Sequence, residues 1–487
     1  MIDKIKELTK DTAIYGLSTI VGRFLNFLLV PFYTNFFSPY DVGVYSNIYA
    51  YLAFLNILFI YGMDAAYMKY SSISPEDDKK KTFSTALIFV FISTVLFSIF
   101  LWIVYRPFSG LMEIPSEFGY LYNYMIFILL LDTIAVVPFA SLRLKRKSMK
   151  FSLIKLGNII LNLSLNFILV LKFKMGIEAI LIANLAASAL SLLLLMPEIL
   201  ANFVMKIDNH YLRLMLKFAI PYLPASLAAT IVQVIDRPVV LALTNQETLG
   251  IYQANYKLGI FMMLIVQMFQ FAWQPFFLNN SKEKNAKEIF SKVLTLFIIA
   301  ASFVWIIVSL FVDDFARIEF AAGKSIIGKE FLSGIIIVPV ILLAYMFNGI
   351  YYNFQAGIYI EEKTKYFPYV TGAGAVVNVV VNILLIPVLG IMGAALATLA
   401  SYMIMAGGLF YFSQKFYKIK YEYDKIIKVL VLVFSVCAVY YLIHFQIGLN
   451  ILYKIILLLV FITSLFVLRV IDKSELSKVA ALLLKRN

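Results

Sequence analysis

Two arginines and a lysine interrupt otherwise apolar stretches of this chain, and their neighbours suit the binding of a phosphorylated, hydroxyl-rich ligand. Arg23 lies within the run 12–34, with Asn26 three residues on and on the same helical face. Arg237 shares a face with Ser226, Thr230 and Gln233, at spacings of four, three and four residues. Further on, Tyr252, Tyr256, Met263, Gln267, Gln270 and Gln274 fall at helical spacing, with Lys257 beside them; Asn348, Tyr352, Gln355 and Tyr359 repeat the idea. A guanidinium meets phosphate through two parallel hydrogen bonds. Tyrosine and glutamine offer stacking faces and amides for sugar hydroxyls. A structural reading stands beside this one. Asp236 and Arg237 could form a static pair, and Gln and Asn serve as interhelical contacts worth about 1 kcal/mol. Three acids, Asp64, Asp132 and Asp236, are candidates for ion coupling or gating. Asp132 either holds a coupling ion or pairs with Lys155.

The elements that position these residues are membrane helices. Hydrophobic residues make up 62% of the chain and charged residues 14%, and a bilayer core needs roughly 20 apolar residues per helical span. Backbone polar groups must pair internally in lipid, so the runs are expected to be helices. Fourteen spans are expected, at 12–34, 42–64, 83–105, 118–142, 150–172, 176–200, 214–243, 249–279, 290–313, 331–357, 366–389, 391–414, 426–445 and 449–468. Arg23 interrupts the first run and no cleavage site follows, so it reads as a retained helix. Pro221 and Pro224 are expected to bend the seventh.

A buried charge in such a span is costly, which makes each one a question about function. The net charge of +14 reflects topology rather than nucleic acid. Of the 42 Lys and Arg, 31 lie in or beside segments on the N-terminal side, 7 lie opposite and 4 lie within spans. By the positive-inside rule both termini are cytoplasmic. One cysteine, Cys437, and two distant histidines, His210 and His444, offer no disulfide and no metal motif. No cofactor is expected. There is no phosphate-binding G-x-x-x-x-G-K-[ST] loop, which argues against direct ATP use.

Residues 31–49 align without a gap on 238–256, pairing Pro31 with Pro238, Gly43 with Gly250, Tyr45 with Tyr252 and Tyr49 with Tyr256. Asn162 and Asn166 likewise match Asn378 and Asn382, and Met175-Gly176 matches Met392-Gly393. Spans 1–6 and 7–12 therefore read as two copies of one six-helix unit in the same orientation, a parallel repeat. The expected organisation is an N-terminal lobe at 1–205, a C-terminal lobe at 206–416, two added spans at 417–470 and an amphipathic cytoplasmic tail at 471–487.

The opening TAIYGLSTIVGRFLNFLLVPFYTNFFSPYDVGVYSNIY resembles the start of the O-antigen and polysaccharide flippases of the multidrug/oligosaccharidyl-lipid/polysaccharide exporter superfamily. Asp236-Arg237 followed by LGIYQANYKLG, and NVVVNILLIPVLGIMGAALAT at 378–398, are similar to later parts of that family. The resemblance implies a V-shaped, two-lobed exporter with a cationic lumen, and no enzyme. It implies transfer of an undecaprenyl-pyrophosphate-linked oligosaccharide from the cytoplasmic to the periplasmic leaflet of a bacterial inner membrane, by alternating access. It suggests that Arg23 and Arg237 meet the pyrophosphate or an acidic sugar. The implied partners are the lipid-linked oligosaccharide, membrane lipids, a coupling H+ or Na+, and a polysaccharide polymerase. The alternative within the superfamily is an ion-coupled exporter of drugs or cations, which a cationic lumen disfavours. A membrane glycosyltransferase or polymerase would need paired acids in a sizeable loop; Glu113, Glu117 and Glu319 are too scattered.

Overall fold

The computed structural model describes residues 16, 20–321, 323–446 and 450–470. Among them, twelve helices are long and apolar enough to cross a membrane. The chain is an all-α polytopic membrane protein. Residues 12–15 and 17–19 of the first expected span, and the amphipathic tail from 471 on, lie outside the described residues.

In chain order, residues 20–27 are helical, followed by α1 (Leu29–Phe36), α2 (Pro39–Ile60), α3 (Met63–Ile73), α4 (Lys79–Ile103), α5 (Tyr105–Leu111), α6 (Leu121–Leu144), α7 (Ser148–Phe167), α8 (Glu178–Asn202) and α9 (Asn209–Val234). Then come α10 (Asp236–Leu243), α11 (Gln246–Tyr256), α12 (Ile260–Asn280), α13 (Ala286–Arg317), α14 (Val338–Ile360), α15 (Tyr366–Leu389), α16 (Ile391–Phe416), α17 (Tyr423–Gln446) and α18 (Ile451–Val467). The last is an apolar helix of 17 residues. Several expected spans are interrupted, the eighth by a 3-10 turn at Lys257–Gly259 between α11 and α12. Tyr61 and Gly62 take left-handed conformations, φ 37° and 78°, and separate α2 from α3. The seventh span runs through Pro221 and Pro224 as α9 and breaks later, at Ile235, before α10.

By contacts the chain forms two compact units: residues 1–257, 320–334 and 371–401 make one, and 258–319, 335–370 and 402–487 the other. In the first, α2 and α11 start alike. Ser38 caps α2, its Oγ accepting from Asp41 N while Asp41 Oδ2 accepts from Ser38 N, both at 3.2 Å. Asn245, 207 residues on, caps α11 by accepting from Thr248 N at 2.8 Å. The two helices then meet through glycine. A Cβ on Gly43 would lie 1.9 Å from the Gln246 carbonyl oxygen, and a Cβ on Gly250 would lie 1.9 Å from that of Pro39. Pro39 and Gln246 are themselves paired by the 207-residue offset, so the contact is reciprocal, as at a two-fold interface. On the far side of this unit a buried carboxylate, Glu198, accepts from Ser141 Oγ at 2.9 Å and Lys145 Nζ at 2.6 Å, with Lys147 Nζ at 3.3 Å.

The second unit has an aromatic core. Trp273 packs against Phe277 and Phe290, and its indole donates to the Asn353 carbonyl at 3.2 Å. Trp305 donates to the Pro339 carbonyl at 2.9 Å. Lys454, buried on α18, is paired with Asp314 of α13.

Candidate binding cavity

A cavity of about 320 Å³ opens within the first unit. Helical residues 20–27 lend it Asn26 and α1 lends Leu29 and Tyr33; α2 lends Tyr45, Ser46 and Tyr49; α7 lends Asn158, Ile159 and Asn162. Ile180 and Asn184 of α8, Arg237 of α10, and Gln253 and Lys257 at α11 complete the lining. Depth follows from helix rise. Tyr45, Asn184, Arg237 and Gln253 lie six or seven residues from the helix ends at Pro39, Glu178, Leu243 and Gln246 respectively, about 10 Å along the axis at 1.5 Å per residue. Those ends meet the turns at 37–38, 173–177 and 244–245. Tyr49, Asn162 and Lys257 lie about 15 Å in, near the middle of a bilayer core of about 30 Å.

The chemistry of the lining is one-sided. Among the described residues it holds two cations, Arg237 and Lys257, and no Asp or Glu. Lys257 Nζ donates to the Tyr45 hydroxyl at 3.0 Å and sits 5.8 Å from the centre of the Tyr33 ring. Arg237 Nε is buried without a hydrogen-bond partner, as are Ser46 Oγ and Gln253 Oε1. Three polar atoms of the lining thus keep unused bonding capacity, which is costly for buried groups unless something fills it.

The amide wall is held from behind. Tyr33 donates to Asn166 Oδ1 at 2.9 Å, and Asn166 Nδ2 donates to the Asn162 carbonyl at 2.8 Å. Asn184 Nδ2 donates to the Tyr49 hydroxyl at 2.9 Å, and Asn158 Nδ2 to Ser191 Oγ at 2.9 Å. Asn378 and Asn382 reproduce the Asn162–Asn166 geometry, with Asn382 Nδ2 donating to the Asn378 carbonyl at 2.8 Å.

Of the residues singled out in the sequence, Asn26, Arg237 and Lys257 come together here. Arg23 is exposed one helical turn from Asn26 and is not in the lining, and Gln233 is likewise exposed outside it. Tyr252 and Tyr256 are buried. Tyr252 donates to Asp236 Oδ2 at 2.5 Å, and Asp236 Oδ1 is left without a partner. Arg237 forms no ion pair within 4.0 Å among the described residues, so the static Asp236–Arg237 pair is replaced by a Tyr252–Asp236 bond. Asp64 pairs with Arg143 at 3.4 Å. Asp132 lies by Ser188 and Lys155. Gln267, Gln270 and Gln274 lie on α12 in the second unit, the first two half-buried and the third exposed.

Besides the spans that carry the charges singled out in the sequence, α7 and α8, from expected spans 5 and 6, line the cavity. The lining residues that single-residue reasoning missed are Tyr33, Tyr45, Ser46, Tyr49, Asn158, Asn162, Asn184 and Gln253. Their sequence signal was the four-residue spacing of Tyr45 with Tyr49 and of Asn158 with Asn162, each a polar stripe on an apolar helix.

A family model described as polysaccharide biosynthesis protein matches residues 8–281. Among solved structures, the chain is similar to the lipid II flippase MurJ in an inward closed conformation, with a TM-score of 0.71 and 17% identity, covering 93% of this chain and 97% of that one. It is also similar to an inward-facing multidrug resistance MATE family transporter of the MOP superfamily, with a TM-score of 0.62, 13% identity, and 83% and 94% of the two chains covered. A MOP superfamily transporter from Pyrococcus furiosus, reported to have a binding pocket of reversed polarity, matches with a TM-score of 0.55, 14% identity, and 83% and 95% coverage. No curated protein sequence matches the chain.

Proposed function

Because the chain belongs to the polysaccharide biosynthesis protein family, we propose that it is a flippase for a lipid-linked oligosaccharide of an O-antigen, capsule or related polysaccharide. The substrate head is an undecaprenyl pyrophosphate bearing the glycan. It moves from the cytoplasmic to the periplasmic leaflet of a bacterial inner membrane, with both termini cytoplasmic. Transport proceeds by alternating access of two six-helix lobes, 1–205 and 206–416. Residues 417–470 are added to them, and a polysaccharide polymerase takes up the product. The observation that supports this reading is the acid-free cavity, where Arg237 and Lys257 face a wall of tyrosines and amides. Two cations in a site of reduced dielectric favour a dianionic pyrophosphate over any cation. Asn158, Asn162, Asn184 and Gln253 suit hydroxyl and acetamido groups of the first sugars. Arg23 and Asn26, one turn apart at one edge, meet the head as it enters. The glutamines at 267, 270 and 274 line the C-terminal lobe's share of the path.

The buried Asp236, with one oxygen bonded to Tyr252 and one unpartnered, is the strongest of the three acids for coupling to H+ or Na+. Asp64, already paired with Arg143, acts in gating, and Asp132 in coupling or structure. Export of cationic drugs requires an acid at the site, and the lining carries none among the described residues.

The test is complementation of a flippase-null strain that makes the cognate glycan, at matched membrane levels. Wild type is expected to restore surface polysaccharide. Arg237→Ala and Lys257→Ala are expected to fail, and Arg23→Ala to act partially. If all three complement fully, the cations are structural and the cavity is not the headgroup site.

A further inference from the structure

The segment Lys324–Gly334 lies about 290 residues from α1 in sequence, yet it is bonded to α1's last turn. Asn35 Nδ2 donates to the Ser325 carbonyl at 2.6 Å, and Asn35 Oδ1 accepts from Ser325 N at 3.2 Å, so one amide side chain mimics a strand partner. Gly328 N donates to Thr34 Oγ1 at 3.0 Å. A Cβ on Gly328 would lie 1.8 Å from the Thr34 carbonyl oxygen, so glycine alone permits this approach. The Lys324 ammonium lies 3.5 Å from the centre of the Phe36 ring. At its other end the segment reaches α11, where Asn255 Nδ2 donates to the Phe331 carbonyl at 2.8 Å. Ile327 and Phe331 are fully buried.

These anchor points are next to the cavity lining. Thr34 follows Tyr33, and Asn255 stands between Gln253 and Lys257. The segment therefore ties together the first and second copies of the 207-residue repeat, at positions within two residues of the cavity lining. We propose that Lys324–Gly334 is a strap that holds the near end of the cavity shut and releases α1 when that end opens. The inference rests on the alternating-access reading given above. Each of these bonds runs to a side chain of the helix it meets and none to helix backbone, so the segment can part from α1 without breaking that helix's own hydrogen-bond ladder.

The strap is tested by bridging it. In a Cys437→Ser background, Asn35→Cys and Ser325→Cys are linked by a short bis-methanethiosulfonate reagent that dithiothreitol removes. The readout is movement of a fluorescent polyprenyl-pyrophosphate N-acetylglucosamine across proteoliposomes. Bridged protein is expected to move the probe at least about tenfold more slowly, with recovery on reduction; an unchanged rate overturns the strap. A second arm needs no substrate. Ser46→Cys, at the buried cavity wall, is labelled by an impermeant methanethiosulfonate with the strap intact, with Thr34→Ala/Asn35→Ala, or with Gly328→Ala. Loosening is expected to speed labelling about tenfold, and equal rates in all three overturn the strap. If unbridged protein moves no probe while loosening still speeds labelling, the flippase reading fails and the strap stands.

Discussion

The reciprocal glycine contact between α2 and α11 yields a quantitative prediction. Gly250→Ala would place a methyl 1.9 Å from the Pro39 carbonyl oxygen and 2.8 Å from its carbon, and Gly43→Ala would do the same at Gln246, at 1.9 and 2.7 Å. Ordinary contact begins near 3.4 Å, so each methyl needs the helices to part by about 1.5 Å. The obstructing atoms are backbone, which no rotamer change removes. Overpacking costs about 1–3 kcal/mol, and the backbone obstruction puts each single variant near the top of that range. Once the helices have parted for one methyl, the other fits. The double variant should therefore cost about 3 kcal/mol rather than about 6, a coupling energy near −3 kcal/mol. Unfolding midpoints in mixed dodecylmaltoside–SDS micelles, taken over wild type, both singles and the double, give the cycle. Additive costs, or a single variant within about 0.5 kcal/mol of wild type, would refute a shared crossing.

Three further outcomes follow from charges held at unequal depth. Lys257→Met should abolish pyrophosphate-dependent quenching of a fluorophore in the cavity while leaving unfolding midpoints within about 1 kcal/mol of wild type; a large loss of stability would make Lys257 structural. At the Lys454–Asp314 pair, whose side chains are 3% and 54% exposed, Asp314→Asn strands a buried ammonium and should cost about 3–5 kcal/mol. Lys454→Met leaves a solvated carboxylate and should cost less than about 1 kcal/mol, so equal midpoints for the two variants would show that depth is not what matters there. Glu198→Gln keeps the hydrogen bond from Ser141 but removes the charge facing Lys145 and Lys147, both more than a third exposed. It should cost about 1 kcal/mol after screening, and lowering pH below the carboxylate range should erase the difference between variant and wild type.

The membrane class and the helical architecture were legible in the sequence because lipid allows little else: long apolar runs must be helices. Breaks inside runs were less so. Tyr61–Gly62 interrupts the second span through left-handed φ values, and a single Gly among apolar residues does not announce that. Pro221 and Pro224 were expected to bend the seventh span, and α9 runs on through both; its end at Ile235 was not foreseen. At the cavity, charge was the readable signal and found Arg237 and Lys257. Charge also led astray. Asp236 next to Arg237 looked like a pair, but successive residues on a helix point in different directions, and Tyr252 took the acid instead. The amide wall was hidden because an Asn in a membrane helix has the same sequence appearance whether it faces a cavity, as Asn162 does, or is fully buried against a neighbour, as Asn166 is.

The repeat explains how one scaffold makes a polar site that is not symmetric. Tyr45 and Tyr252 hold equivalent positions, and each hydroxyl meets a charge: Tyr45 accepts a hydrogen bond from the ammonium of Lys257, and Tyr252 donates one to Asp236. Extending the 207-residue offset places Leu29, Val30 and Ala50 opposite Asp236, Arg237 and Lys257. All three charges thus belong to the second stretch, while the first supplies apolar residues at those positions and contributes Tyr33, Tyr45 and Tyr49 to the wall. A symmetric arrangement would set two Lys–Arg pairs against one another in a low-dielectric space and raise the cost of each. Confining the cations to one copy, with the tyrosines and every amide of the lining but Gln253 on the other, gives a single cationic spot with a neutral wall around it. A phosphate head with a sugar attached is equally divided, anionic at one end and neutral at the other. The sharpest check on that correspondence is to move the charge. Ala50→Lys in a Lys257→Ala background restores a cation at the equivalent site of the first copy. It should recover net charge but not transport, because Ala50 is buried outside the lining and a cation there does not face the phosphate. Full recovery would mean that the cavity needs only positive charge, and that the division between the copies carries no recognition.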